Sequence, residues 1–402
     1  VTNLVDYLRS PKAIRDRASQ LFELAQADKL AYFRLDLTQL DAVAGYVIAV
    51  MRQQYPDLEV PFHSRWRHFE VGNFPRVQQL EQALKNLSPV DQAKAKFDLV
   101  VPSVLLDAGA GDRWQYLESS TKQTWTRSEG LAIASFDAFC QGAFSTQPYR
   151  TDAEGLKQIT PEKIAAFFQV TPGNPLVGLE GRSHLLRKLG HTIEQFPDLF
   201  GDSPRPGNLV DYLSHQTHQG ELSAVTVLNA VLLGFGDIWS GRLSINGTNL
   251  GDVWHHSALL GEYTDQLIPF HKLSQWLTYS LLEPLQDLGI TITDLDQMTG
   301  LPEYRNGGLC VDLGLLQLKN PQLAEIPHSP GSELIVEWRA LTVCLLDRVA
   351  DTIRTKLALT SDALPLVKVL QGGTWTAGRK VAASLRPGGT PPIQISSDGT
   401  VF

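Results

Sequence analysis

The stretch Gly300-Leu301-Pro302-Glu303-Tyr304-Arg305-Asn306-Gly307-Gly308 sets a carboxylate, a phenol and a guanidinium side by side between backbone breakers. Pro302 fixes its own φ and pushes Leu301 out of the helical region. Gly307 and Gly308 permit backbone angles that other residues avoid. A loop held at both ends, with an acid beside a permanent cation, suits acid–base chemistry. The same residues also fit a helix-to-helix connector with a surface ion pair, and spacing alone leaves both readings open.

A second candidate is Asp107-Ala108-Gly109-Ala110-Gly111, followed by Asp112. It resembles the glycine loop of nucleotide-binding and methyl-transfer enzymes. That loop needs a strand before it, a helix directly after it and an acid ending the next strand. Phe97 to Leu106 could supply the strand, but Arg113-Trp114-Gln115-Tyr116 follows and the alternation stops. A tight loop beside a pocket is the better expectation, with Asp107 and Asp112 reaching substrate. His255, His256 and His271 lack the i, i+4 spacing of helical metal ligands, so no metal and no cofactor is expected. A GxSxG nucleophile is absent. Lys272, between Phe270 and Trp276 near a helix start, is suited to a phosphate, although most lysines are solvated stems. Glu337 and Arg339 fit a solvated salt bridge. Trp66, Trp114, Trp125 and Trp254 fall in irregular segments, where rings can wall a small polar substrate or anchor a core.

The elements that would position these groups are mostly helical. Ser10 and Pro11 open an amphipathic helix to Ala27, with Ile14, Ala18, Leu21 and Leu24 on one face. A second runs from Thr38 to Gln54. Phe62 to Gly72 has weak periodicity and reads as a strand or loop. Helices follow at Val77–Leu87, Val90–Leu106, Leu131–Gln141, after Thr160-Pro161, at Glu180–Phe196, Leu209–His218 and Val225–Leu233. Gly234 to Gly261 reads as an irregular excursion, and Pro269 as the start of the next helix. Ser332 caps a long helix whose buried stripe is Leu334, Trp338, Leu341, Leu345, Val349 and Ile353. A last helix spans Trp375 to Leu385, before a breaker-rich turn and a short extended end at Phe402. The βαβ alternation of a parallel sheet is missing, so the expected class is mostly α with small β additions. The chain has 402 residues, 43% hydrophobic and 19% charged, with a net charge of -8, enough for a large core. That balance argues against a nucleic-acid surface, and the longest apolar runs fall short of a membrane span. Cys140, Cys310 and Cys344 lie far apart, which points to a reducing cytoplasm.

FHSRWRHFEVG, LLDAGAGDRWQYLE, RSEGLAIASFDAF, LVGLEGRSHLLRKLG, GDVWHH, PFHKLSQWL, GLPEYRNGGLCVDLG and RPGGTPPIQISSDGTVF occur in that order. Together, across nearly the whole chain, they resemble the uracil-catabolism protein 4 family, a domain-of-unknown-function family. The resemblance implies the step that splits ribosylurea, or its 5-phosphate, into urea and a pentose or pentose phosphate. A fainter likeness, from about residue 127 to 350, is to the queuosine-salvage nucleotide N-glycosidases. Thr160–Gly190, Pro269-Phe270-His271-Lys272 with Gln275, Met298–Arg305 and Glu337-Trp338-Arg339-Ala340 carry it. That likeness implies a helical DNA-glycosylase-like core, with an N-terminal extension at 1–126, the core at 127–360 and a C-terminal helix and tail at 361–402, in one integrated unit. It also places Glu303 where those enzymes have a catalytic aspartate. Lys272, then Arg305, would meet a 5-phosphate. Asp312, Trp254, His256, Glu129, Asp107 and Asp112, all inside the shared motifs, are the remaining substrate-binding candidates. The partner implied is a small molecule, not a nucleic acid or a membrane. Two alternatives remain: a nucleotide-binding or methyltransferase-like enzyme using Asp107 to Gly111, and a non-catalytic metabolite-binding protein.

Overall fold

A computed structural model describes residues 4–239 and 242–396. The fold is mostly α. Among the described residues the strands form five two-stranded pairings and no larger sheet. None of the described helices is long and apolar enough to cross a membrane. The described chain divides into two compact units, each assembled from separate stretches: residues 4–63, 242–275 and 294–396 in one, 64–239 and 276–293 in the other.

The first unit is built on the helix Glu333–Leu357, whose expected stripe is buried along its full length. The helices Pro11–Gln26 and Leu40–Gln54 pack against it. Ser10 caps the first of these by accepting from the N–H of Ala13, and Pro11 sits at its first turn. Ser332 occupies the N-cap of the long helix, but its hydroxyl donates to the Ser329 carbonyl at 2.8 Å and leaves the helix N–H groups alone. Strand Phe33–Leu35 pairs antiparallel with Leu316–Leu318, and Val253–His255 with Leu267–Pro269. Pro269 therefore ends a strand instead of opening a helix. The next helix, Lys272–Asp287, begins after His271, whose φ of 47° breaks the path between the two. The segment 234–261, expected to be irregular, holds the end of one helix, the hairpin Ser244–Ile245 with Thr248–Asn249, and Val253–His255.

Gly307 and Gly308 do not break the chain. They lie inside the helix Tyr304–Asp312, and neither has a positive φ. They are small because neighbours are close: a Cβ on Gly307 would stand 2.8 Å from Trp338 Nε1, and one on Gly308 3.2 Å from Pro392 Cδ. Gly378, on the helix Trp375–Leu385, meets the Arg305 carbonyl in the same way. The breaker-rich turn contains a short 3-10 segment, Pro387–Gly389. The expected extended end at Phe402 lies outside the described residues.

In the second unit the helix Pro89–Leu105 is buried almost throughout its last ten positions. Ser88 caps it, with Pro89 at the first turn. Helices Arg127–Cys140, Leu179–Ile193 and Ala224–Phe235 complete the main layer. Since Phe97 to Leu105 is helical, the Asp107–Gly111 loop follows a helix. The strand Gln115–Leu117 comes after it, so neither requirement of a dinucleotide or methyl-donor loop is met. The Phe62–Gly72 stretch, expected as a strand or loop, forms a turn of α-helix at Trp66–Phe69 and a 3-10 turn at Val71–Asn73. Trp66 Nε1 and the Arg65 N–H anchor it on the Ser280 carbonyl and hydroxyl.

Candidate active site

Glu303 is the N-cap of the helix Tyr304–Asp312. One carboxylate oxygen accepts the Arg305 N–H at 2.7 Å and the other the Asn306 N–H at 2.6 Å. A helix N-terminus presents unpaired N–H groups and partial positive charge, so it holds an anion well. Glutamate is not among the favoured cap residues. Here its longer side chain folds back onto its own helix. Glu303 is 7% exposed. Burial raises its pKa, against the opposing pull of the Lys272 charge, the two N–H groups and Arg305. Each oxygen has a second lone-pair direction, so the capped carboxylate can still accept from water or a ligand.

Two side chains fasten the loop before Glu303, Asn306 and Arg339, and Trp338 braces the helix after it. Asn306 donates to the Leu301 carbonyl at 3.0 Å, and Trp338 Nε1 to the Gly307 carbonyl at 3.1 Å. Arg339 Nε donates to the Pro302 carbonyl at 3.2 Å. The rest of the Arg339 fork grips Asp252 at 2.7 and 2.8 Å, and its guanidinium lies 4.1 Å from the centre of the Phe270 ring. Arg339 is 2% exposed, so this is a buried pair and not the solvated one its spacing suggested. Asp252 also accepts from Trp254 Nε1 at 2.7 Å and from the Lys272 N–H at 3.0 Å. Burial alone would raise the Asp252 pKa. Arg339 and the other donors overcome that and hold it well below the usual carboxylate range. Gln275 closes the frame: its amide donates to the Phe270 carbonyl and accepts from the Thr299 N–H at 3.0 Å.

Glu303, Lys272 and Trp254 thus belong to one connected framework. Arg305 lies over the Tyr304 ring and donates to the Gly389 carbonyl at 2.9 Å. Asp312 is gripped by both arms of Arg386, at 2.7 and 2.6 Å. His256 is 2% exposed, and its Nδ1 accepts the Ala258 N–H, which places its proton on Nε2. That nitrogen faces Glu337 Oε2 at 3.6 Å, while Glu337 Oε1 accepts the Tyr32 and Phe33 N–H groups. His271 donates through Nε2 to the Leu8 carbonyl at 2.8 Å, and burial lowers its pKa, so it is neutral.

The other three candidates belong to the second unit. Asp107 Oδ1 accepts from Ser128 Oγ at 2.6 Å and from Arg65 Nη1. Arg65 is fully buried, donates through Nε to Ser103 at 2.8 Å, and lies 5.6 Å from the Trp276 ring centre. Burial lowers its pKa, and the charges of both Asp107 and Glu129 act against that. Arg182 donates to the carbonyls of Leu106, Ala108 and Gly109 and so holds the loop. Asp112 stands exposed beyond it.

Residues 7–402 match the family described as "Protein of unknown function (DUF1688)". The chain belongs to this family. It is similar over its whole length to "Protein urg3" of Schizosaccharomyces pombe, 40% identical over 415 residues with 100% of both chains covered. It is also similar to "Uracil catabolism protein 4" of Lachancea kluyveri, 37% identical over 440 residues with the same full coverage. The family read from the eight motifs therefore holds along the chain. In this DUF1688 chain the sequence reasoning passed over Asp252 and Arg65. Asp252 sits inside GDVWHH and Arg65 inside FHSRWRHFEVG. An acid or cation embedded among aromatics, where burial is expected, was the available signal for both.

Proposed function

We propose that this chain is an N-glycosidase of uracil catabolism that hydrolyses the bond between ribose and urea in ribosylurea, or in its 5-phosphate. The observation that carries the reading is Glu303: a buried carboxylate, held by two backbone N–H groups at the matching position of the resembled catalytic loop. The names of the two relatives support the pathway. Breaking the C1–N bond places positive charge on the sugar ring. An anionic Glu303 beneath C1 stabilises that charge and takes a proton from the attacking water. The water oxygen joins C1 as the C1–N bond breaks, and the proton taken by Glu303 passes through solvent to the leaving nitrogen, so urea departs neutral and Glu303 is an anion again. No electron transfer is involved. Lys272 serves twice on this reading, as a cation for the 5-phosphate and as a charge that favours the anion at Glu303 against its burial.

A purely structural cap would also use both oxygens of Glu303, which favours a second reading in which the chain binds a pathway metabolite without turning it over. Incubating the protein with ribosylurea and its 5-phosphate and measuring urea separates the two. Release of urea that depends on Glu303 supports hydrolysis. Saturable binding without urea release overturns it.

A further inference from the structure

We propose that Asp252 and Arg339 are a positioning pair, which holds the start of the Lys272 helix and the Glu303 loop at one fixed separation. The inference rests on the reading of Glu303 as the catalytic carboxylate. A single chain of contacts joins the two groups. The Lys272 N–H, which opens its helix, donates to Asp252 at 3.0 Å. Asp252 takes both arms of Arg339. Arg339 Nε then reaches the Pro302 carbonyl, one peptide before Glu303, at 3.2 Å. Only a planar fork makes these contacts together, because an ammonium is a point donor without that geometry. Phe270 supports the fork from one face.

Lys272, at the start of the helix Lys272–Asp287, and Arg305, from Glu303's own helix, are cations that favour the anion at Glu303. Inside a buried site a change in charge separation matters more than it does in water. Loosening the pair frees the start of the Lys272 helix relative to the Glu303 loop, weakens the pull of the Lys272 charge, and makes Glu303 harder to ionise.

The test is the titration of Glu303 in substrate-free protein, followed by carboxyl-carbon NMR of glutamate-labelled wild type, Arg339→Lys, Asp252→Asn and Phe270→Leu. The Glu303→Asp protein assigns the signal, and thermal unfolding checks each fold. Arg339→Lys is expected to move the Glu303 midpoint up by about one pH unit, with the acid limb of kcat moving alongside. Phe270→Leu, which leaves the hydrogen bonds in place, is expected to give a smaller shift in the same direction and covers the case in which the charge variants do not fold. A Glu303 midpoint unchanged in whichever variants fold overturns the inference, even where turnover falls, because a merely structural pair lowers activity without moving that titration. The readout needs no substrate, so it can fail while urea release by the wild type stands, or hold while that reaction is absent.

Discussion

Aspartate and glutamine at position 303 separate capping from chemistry. Both oxygens of Glu303 accept a backbone N–H, at 2.7 and 2.6 Å. Glutamine offers one acceptor oxygen and turns an NH2 toward the other N–H, so a buried donor loses its partner at a cost of about 1–3 kcal/mol. Aspartate is a favoured cap and keeps two acceptors, so its stability should lie within about 1 kcal/mol of wild type. The order for turnover differs. Shortening the side chain by one methylene draws the carboxylate back by about 1.5 Å, and a displacement of about 1 Å can cost roughly 10²-fold. Glutamine removes the base altogether, a loss of about 10²–10⁴-fold. The expected stability order is Glu ≈ Asp > Gln, while for urea release it is Glu well above Asp, with Gln lowest. Urea release and denaturant unfolding on the same preparations give both orders. Near wild-type turnover in Glu303→Asp would refute the reasoning, since a group that only caps the helix is replaced there without loss.

Three other perturbations follow from the same geometry. Removing the ammonium in Lys272→Met takes away a charge that lowers the Glu303 pKa, so the acid limb of kcat/KM should move to higher pH, and KM should rise more for the phosphorylated substrate than for the free nucleoside; equal KM effects on both would take Lys272 out of the phosphate site. Glu118 is paired with Arg76 at 2.6 Å; burial alone would raise its pKa, but Arg76, Thr121 and Trp125 bring it down to about 2. With an unfolded value of about 4.3, Glu118 and its three partners contribute on the order of 1–3 kcal/mol at neutral pH after solvent screening, present above about pH 4.3 and lost as the pH falls toward 2. Unfolding measured across that window should show the loss in wild type and a flatter profile in Arg76→Gln. Gly378→Ala places a methyl against the Arg305 carbonyl; it should destabilise the first unit by about 1–3 kcal/mol and reduce urea release by shifting the helix that Glu303 caps.

What the sequence disclosed was local. Ser10-Pro11 and Thr160-Pro161 announce helix starts because a cap acts over three residues, and both caps form. The stripe from Leu334 to Ile353 is legible because burial repeats with the helical turn. The site was only partly legible for the opposite reason. Arg339 and Asp252 lie 87 residues apart, and no periodicity links them, so Arg339 read as a surface cation. Gly307 and Gly308 were misread because glycine has two uses. Sequence alone does not separate a permissive backbone from a close neighbour, and here the neighbours are Trp338 and Pro392. Phe62–Gly72 was read as a strand or loop because its helical turn is a single one, too short to show a period, and is fixed by distant Ser280.

Glutamate where aspartate would cap better has a physical rationale on the proposed reading. Two N–H groups, a helix N-terminus and a nearby ammonium all favour the anion at Glu303, yet burial outweighs them and its pKa lies above the ordinary value. The anion in the free site is therefore under-compensated. A ground-state substrate that is neutral at C1 does little to relieve it. An oxocarbenium-like sugar, with positive charge at C1, relieves it directly. An interaction that is weak before the bond breaks and strong as it breaks is what accelerates a reaction, since equal stabilisation of both states lowers only KM. A shorter aspartate, set tighter against the N–H groups, would be better compensated at the start and would gain less at the transition state. Glu303→Asp should thus lose turnover without losing affinity. A variant whose KM rises while kcat holds would mean that Glu303 contributes to binding and not to the bond-breaking step.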